Sequence, residues 1–220
     1  MRQYKAMGAA MMSFGAGAQE LYVMDACDAA DVEYKGRLES IHDIPEGVAV
    51  FPLGSTPAEK ENLMAQMSAA RVMPATVIHP TAVVSRTAVI GQGVLINAFV
   101  SVTQKADIGP GVVIHVGCVI GHDNIIGAFA SLSPGCLLAG GVYIGSRASL
   151  GTGVIVVPNK RVECGATVWA GATVQMDVAP FATHYVMPDK QPFRKAGPPV
   201  PVGESGLDVD MAAQSTGSGK

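Results

Sequence analysis

The feature that most restricts what this chain can fold into is a ladder of aliphatic residues spaced six apart. Starting at Ile78, steps of six reach Val84, Ile90, Ile96, Val102, Ile108, Ile114, Ile120, Ile126, Leu132, Leu138, Ile144, Leu150, Val156, Val162, Val168 and Val174 without a polar interruption. A period of six matches neither the helical repeat of about 3.6 nor the two-residue alternation of an amphipathic strand. It suits a short strand followed by a corner, three of which close a triangular coil of 18 residues. The position four beyond each rung is small in most hexads, as at Ala82, Ala88, Ala106, Cys118 and Ala148, with Asn124 and Lys160 as exceptions. Glycine often follows the rung, as in Ile90-Gly91, Ile126-Gly127 and Leu150-Gly151. The expectation is a mainly β chain: a parallel β-helix of between five and six coils, with rungs along the axis and no slip of phase from residue 78 to 179.

Composition agrees with a narrow, repetitive interior, since glycine numbers 26 and aromatic residues make up only 5%. Charged residues are 15%, the net charge is −3 and there is no long basic run, which argues against a nucleic-acid partner. No apolar run approaches the ~20 residues of a membrane span. The opening MRQYKAMGAAMMSFGAGAQ has the outline of a secretory signal, but its apolar part lacks Leu, Ile and Val. Cys27, Cys118, Cys136 and Cys164 have no CxxC spacing, so neither a zinc knuckle nor a thioredoxin-type site is indicated and a reducing cytoplasm is expected. Cys118 and Cys136 fall one coil apart at small interior positions and read as packing thiols.

Residues 1–77 follow a different rule, an α/β alternation: a strand over 9–14, the glycines of FGAGAQE, a strand over 47–53 and a helix over 57–70 opened by Ser55 or Thr56. This is half of a Rossmann-like unit, long enough for one nucleotide. Gly15 and Gly17 can bring backbone N–H groups against a diphosphate, although a plain glycine turn has the same signature. A stack of coils exposes strand edges at both ends. Residues 1–77 are expected to cover one end and residues 179–196 the other, with a Pro/Gly/Ser-rich tail from Gly197. The expected domains are therefore 1–77 (small α/β), 78–179 (β-helix) and 180–220 (cap and tail).

His122 lies two places after the axial Ile120, at a corner, and so projects outward. One coil away in the same column are Gln104 and Gly140, the latter about 5 Å along the axis. That column suits acyl transfer from a thioester: an imidazole removes a proton from the acceptor, and an unobstructed backbone N–H meets the developing oxyanion. Asp123 can orient the imidazole. A solvated corner pair is the alternative.

The segments VIHPTAVVS, IHVGCVIGHDNIIG, SLSPGCLLAGGVYIG and LGTGVIVVPN resemble the hexapeptide-repeat acyltransferases with a left-handed β-helix. Within that superfamily they resemble the bacterial nucleotide-amino-sugar N-acetyltransferases and related sialic-acid O-acetyltransferases. The resemblance implies a homotrimer with acetyl-CoA in clefts between neighbouring coils, His122 as general base, Asp123 as its acidic partner and Gly140 as an acetyl-CoA contact. Thr152 and Ala170 match positions touching the pantetheine arm. The glycine loop, Gly15 and Gly17, would hold the nucleotide diphosphate, with Asp28 or Asp31 on the base and His115 near the sugar. GAGAQ departs from the family's GxGGH, His115 replaces an asparagine, Ser131 replaces a second histidine, and THYVMPDKQPFRK lacks the family's Gly-x-Pro-Ala ending.

The implied function is acetyl-CoA-dependent N-acetylation of a nucleotide-linked amino-deoxysugar for glycan assembly, in the cytoplasm, without a metal, nucleic acid or membrane. Three alternatives stand beside it: a sugar or sialic-acid O-acetyltransferase, an inactive nucleotide-sugar-binding scaffold, and a metalloenzyme of the γ-type carbonic anhydrase kind. The last is suggested by His79 and His115 two coils apart, but Ile120 stands where the third histidine of that group would be.

Overall fold

Each rung of the ladder closes a two-residue strand, and every strand pairs in parallel with the strand one coil away. Three faces result. Face one holds seven strands from Val77–Ile78 to Thr183–His184, face two holds six from Val83–Val84 to Thr173–Val174, and face three holds five from Val89–Ile90 to Arg161–Val162. The computed structural model describes residues 10–17 and 19–185, all within one compact unit. The tail expected from Gly197, and Ala9 of the first expected strand, lie outside the described residues.

The axis is as dry as the ladder requires: Ile96, Ile114, Ile120, Leu132 and Ile144 are fully buried in one continuous core. Close stacking explains the glycine after the rung. A Cβ on Gly127 would lie 2.5 Å from the backbone nitrogen of Ser146 in the next coil. Asn124, an exception to the small-residue rule, is fully buried and its Oδ1 accepts the Val142 N–H at 2.7 Å, so it joins two coils by a side-chain bond. Lys160, the other exception, is half-buried.

The phase slips earlier than expected. Val162 bridges Val178 and Thr167 pairs with Thr183, sixteen residues on where the other coils advance by eighteen. Asp177 accounts for the short corner, because its Oδ1 accepts the Arg161 N–H at 2.9 Å in place of a main-chain carbonyl. The coil then continues through His184, beyond the boundary expected at residue 179.

The N-terminal region is a parallel three-stranded sheet, β1 (Ala10–Ala16), β2 (Glu33–Leu38) and β3 (Val48–Gly54), in the order β2-β1-β3, with helices α1 (Gln19–Ala29) and α2 (Pro57–Ala69). Neither α1 nor β2 was expected. The buried residues of α1 are the modest Val23, Ala26 and Cys27, and β2 is an edge strand of mostly polar sequence, EYKGRL. Helix α2 starts where expected: Thr56 caps it, and Thr56 and Glu59 satisfy each other's backbone N–H groups.

This region does not cap the end of the stack; it lies along the outside of face one. The outward residues of the first three face-one strands are Val77, Leu95 and Val113, and they share a core with Val23, Ala26, Cys27, Phe51 and Leu53. An outward aliphatic stripe needs cover, and the α/β region supplies it. Arg147, at a corner of the coil, grips Glu61 of α2 through Nε at 2.9 Å and Nη2 at 2.6 Å. Among the described residues no helix is long and apolar enough to cross a membrane.

A cavity in the axis has no route to collapse while the coils above and below hold their register. Leu132→Ala is therefore expected to lower stability by about 2–5 kcal/mol, read from the urea midpoint at unchanged slope.

Candidate active site

The face-two strand Val119–Ile120 delivers His122 to the corner between faces two and three. The imidazole is two-thirds exposed, with Nδ1 2.7 Å from Asp123 Oδ2. Asp123 adopts a left-handed backbone (φ +56°), which turns its carboxylate back onto the preceding side chain. Because a carboxylate only accepts, Nδ1 carries the hydrogen and Nε2 presents its lone pair. Lys105 Nζ is 3.9 Å from the other Asp123 oxygen.

Gly140 is the neighbour of Nε2. A Cβ there would collide with His122 Nε2 and Cε1, so only glycine leaves the imidazole its place. The Gly140 carbonyl accepts from Asn159 N–H at 3.0 Å and Gly141 N–H donates to the His122 carbonyl at 2.9 Å, while the Gly140 N–H has no acceptor among the described residues. A base and an open amide thus sit one coil apart. Thr152 and Ala170 are exposed and stacked at the next corner, between faces one and two, where Gly171 N–H donates to the Thr152 carbonyl at 2.8 Å. Within one chain the width of face two separates them from His122.

The N-terminal candidates divide. Gly15 has φ +97°, and a side chain there would strike the Leu53 carbonyl and Leu63. Gly15 and Ser55 line an open groove that also holds Glu59 and Asn62. Asp28 is exposed near the end of α1, nine residues and ~13 Å along the helix from Gln19, and Asp31 lies in the turn beyond it (φ +55°). Neither is brought to the glycine turn. The strand that reaches that level is β2, whose Leu38 pairs beside Phe14, so the next acidic residue there is Glu39.

His115 is far from the corner of His122. It meets the ring of Tyr22 edge-on at 5.2 Å, and the Asn97 amide donates to its Nδ1 at 3.4 Å. Burial, and then the charge of Lys60, hold it below the usual histidine range. His79 is 7% exposed; its Nδ1 accepts the Thr81 N–H at 3.2 Å, so its Nε2–H faces Asp25 Oδ2 at 3.4 Å. Among the described residues no group of three or more His, Cys, Asp or Glu side chains gathers for a metal. The Cys118 and Cys136 thiols donate to the carbonyls of Ser133 and Gly151 at 3.2 and 3.3 Å.

A second cavity, of about 100 Å³, lies between the β3–α2 turn and face one, lined by Gln19, Gly54, Lys60, Val113, Ser131 and Ser149 among others. Lys60 is 2% exposed, and its Nζ lies 4.7 Å over the Phe51 ring with no hydrogen-bond acceptor among the described residues; Gln19 Oε1 is likewise buried and without a partner among them. Burial lowers the Lys60 pKa to about 7. The helical period carries the signal for this residue, because Lys60 falls in the same stripe as Leu63, Met64 and Met67.

No family model matches the chain, and no curated protein matches it. Solved structures do. PerB from Caulobacter crescentus, in complex with CoA and GDP-perosamine, is 26% identical, with 81% of this chain and 95% of that one covered and a TM-score of 0.74. The acetyltransferase domain of PglB from Neisseria gonorrhoeae FA1090, in complex with acetyl coenzyme A, has a TM-score of 0.77 at 22% identity, covering 82% and 98%. WeeI from Acinetobacter baumannii AYE follows at 0.66 and 20%, covering 79% and 95%. The chain has the architecture of the hexapeptide-repeat sugar N-acetyltransferases.

His115 is part of the seam between α1 and the coil. Its depressed pKa has a consequence for stability. The unfolded chain takes up the proton first, so the contribution of His115 is complete above the ordinary histidine pKa and is lost as pH falls through the lower folded value. Wild type is expected to lose more stability than His115→Gln when urea unfolding at pH 7.5 is repeated at pH 5.

Proposed function

We propose that the chain is an acetyl-CoA-dependent N-acetyltransferase acting on a nucleotide-linked amino-deoxysugar, with His122 as the general base. The observation that carries this reading is the His122–Gly140 pair: an exposed imidazole, oriented by Asp123 at 2.7 Å, lies against a glycine whose N–H is open. The relative that is 26% identical over most of both chains was solved with CoA and GDP-perosamine, which supports both co-substrates.

The chemistry asks little of the protein. His122 Nε2 accepts a proton as the sugar nitrogen attacks the thioester carbonyl, and the Gly140 N–H meets the oxyanion. Collapse breaks the carbon–sulfur bond, and the imidazolium returns its proton to the departing thiolate. Amide and CoA result, and the base is regenerated. Asp123 keeps Nδ1 protonated and stabilises the imidazolium, as an acidic neighbour does in other His-dependent acyl transfers.

A homotrimer fits this scheme. The His122–Gly140 column and the Thr152–Ala170 column occupy different corners, and two copies set side by side can bring one column of each to a shared groove. Face two supports such contact, because its outward residues Val119, Leu137 and Ile155 form an exposed aliphatic stripe. Placement in the cytoplasm is consistent with four free cysteines, three of them buried.

The test is CoA release with a panel of nucleotide amino sugars. His122→Ala is expected to lose at least ~100-fold in turnover while keeping the oligomeric state measured by analytical ultracentrifugation. Asp123→Asn is expected to lose about 10-fold or more with little change in KM, because it weakens the orientation and charge support of the base rather than substrate contacts. An unchanged rate in His122→Ala removes His122 from the mechanism, and a monomeric wild type removes the shared groove.

A further inference from the structure

Two cavities flank the turn between β3 and α2, and their polar walls differ in sign. On the Gly15 side the wall carries the Glu59 carboxylate, which accepts the Ser55 N–H at 2.9 Å. A donor that a diphosphate would need there is thus occupied by a group of its own sign. On the other side, against face one, the charged group is Lys60, and among the described residues no Asp or Glu lines the cavity.

We propose that Lys60 anchors a phosphoryl group of the sugar nucleotide in the cavity between the β3–α2 turn and face one, in place of the groove beside Gly15. The proposal rests on the sugar-nucleotide reading above. A buried ammonium with no acceptor is costly, and the Phe51 ring at 4.7 Å offers only a cation–π contact. An anion supplies the missing partner. Gln19 opens α1, a helix of 11 residues, so the positive end of its dipole points to the same place. Ser131 and Ser149, one coil apart on face one, add two hydroxyls to the opposite wall.

Phosphoryl groups come from the sugar nucleotide, from CoA or from free phosphate, and calorimetric titration of the full chain separates them. UDP, GDP and dTDP, their nucleosides, CoA and inorganic phosphate are the probes. One nucleoside diphosphate is expected to bind at least ~10-fold tighter than its nucleoside, and Lys60→Met to weaken it by about 10- to 100-fold with CoA affinity unchanged. The same variant removes an unpartnered buried charge, so its urea midpoint is expected to equal or exceed that of wild type, which separates lost contact from lost fold. Wild-type preference for the diphosphate in Lys60→Met overturns the proposal, as does a loss confined to CoA or inorganic phosphate. Failure of the wild type to acetylate any amino sugar sinks the functional reading instead, and the diphosphate titration still decides the role of Lys60.

Discussion

Everything in the coil depends on parallel hydrogen bonding between residues eighteen apart. Val113 pairs with both Leu95 and Ser131, and the same step repeats on all three faces until the final coil. That registry places each rung above another rung, so the aliphatic axis and the main-chain ladder enforce each other. A slip of one residue would turn every rung outward. The rigidity this brings is functional, because a corner residue inherits its position from the coils above and below it. His122 is held by its carbonyl, which accepts from Gly141, and by Asp123, whose N–H donates to the Gln104 carbonyl.

Corners are where such a solenoid can do chemistry. Strand residues point into the axis or out from a face, whereas a corner frees one amide and turns one side chain away from the stack. The left-handed corner position favours glycine, and Asp123 occupies it with its carboxylate bonded to the imidazole. Glycine at 140 completes the arrangement by its missing side chain. A base, its orienting acid and an open amide thus come from two adjacent coils and need no loop to position them.

The flank of face one adds a second kind of site. The α/β region docks through Val77, Leu95 and Val113, and Arg147 with Glu61 fixes α2 against the coil. Its seam leaves polar groups without partners among the described residues, Lys60 Nζ and Gln19 Oε1. The Lys60 side of the turn is opposite in sign to the Glu59-lined groove on the other side.

The six-residue ladder by itself determined the coil, its core, the outward direction of His122 and the closeness of Gly140, because a strict period admits one way of stacking and a column is then simple counting. The helix capped by Thr56 was legible for a similar reason, as local capping chemistry needs no distant partner. Only the tertiary structure decided where the α/β region rests, since an outward valine looks the same in sequence whether a helix or solvent meets it. It also decided that Asp28 and Asp31 lie away from the glycine turn, that His115 belongs to a seam, and that Lys60 is buried. Those outcomes depend on which surfaces meet across long separations in the chain, and periodicity carries no information about that.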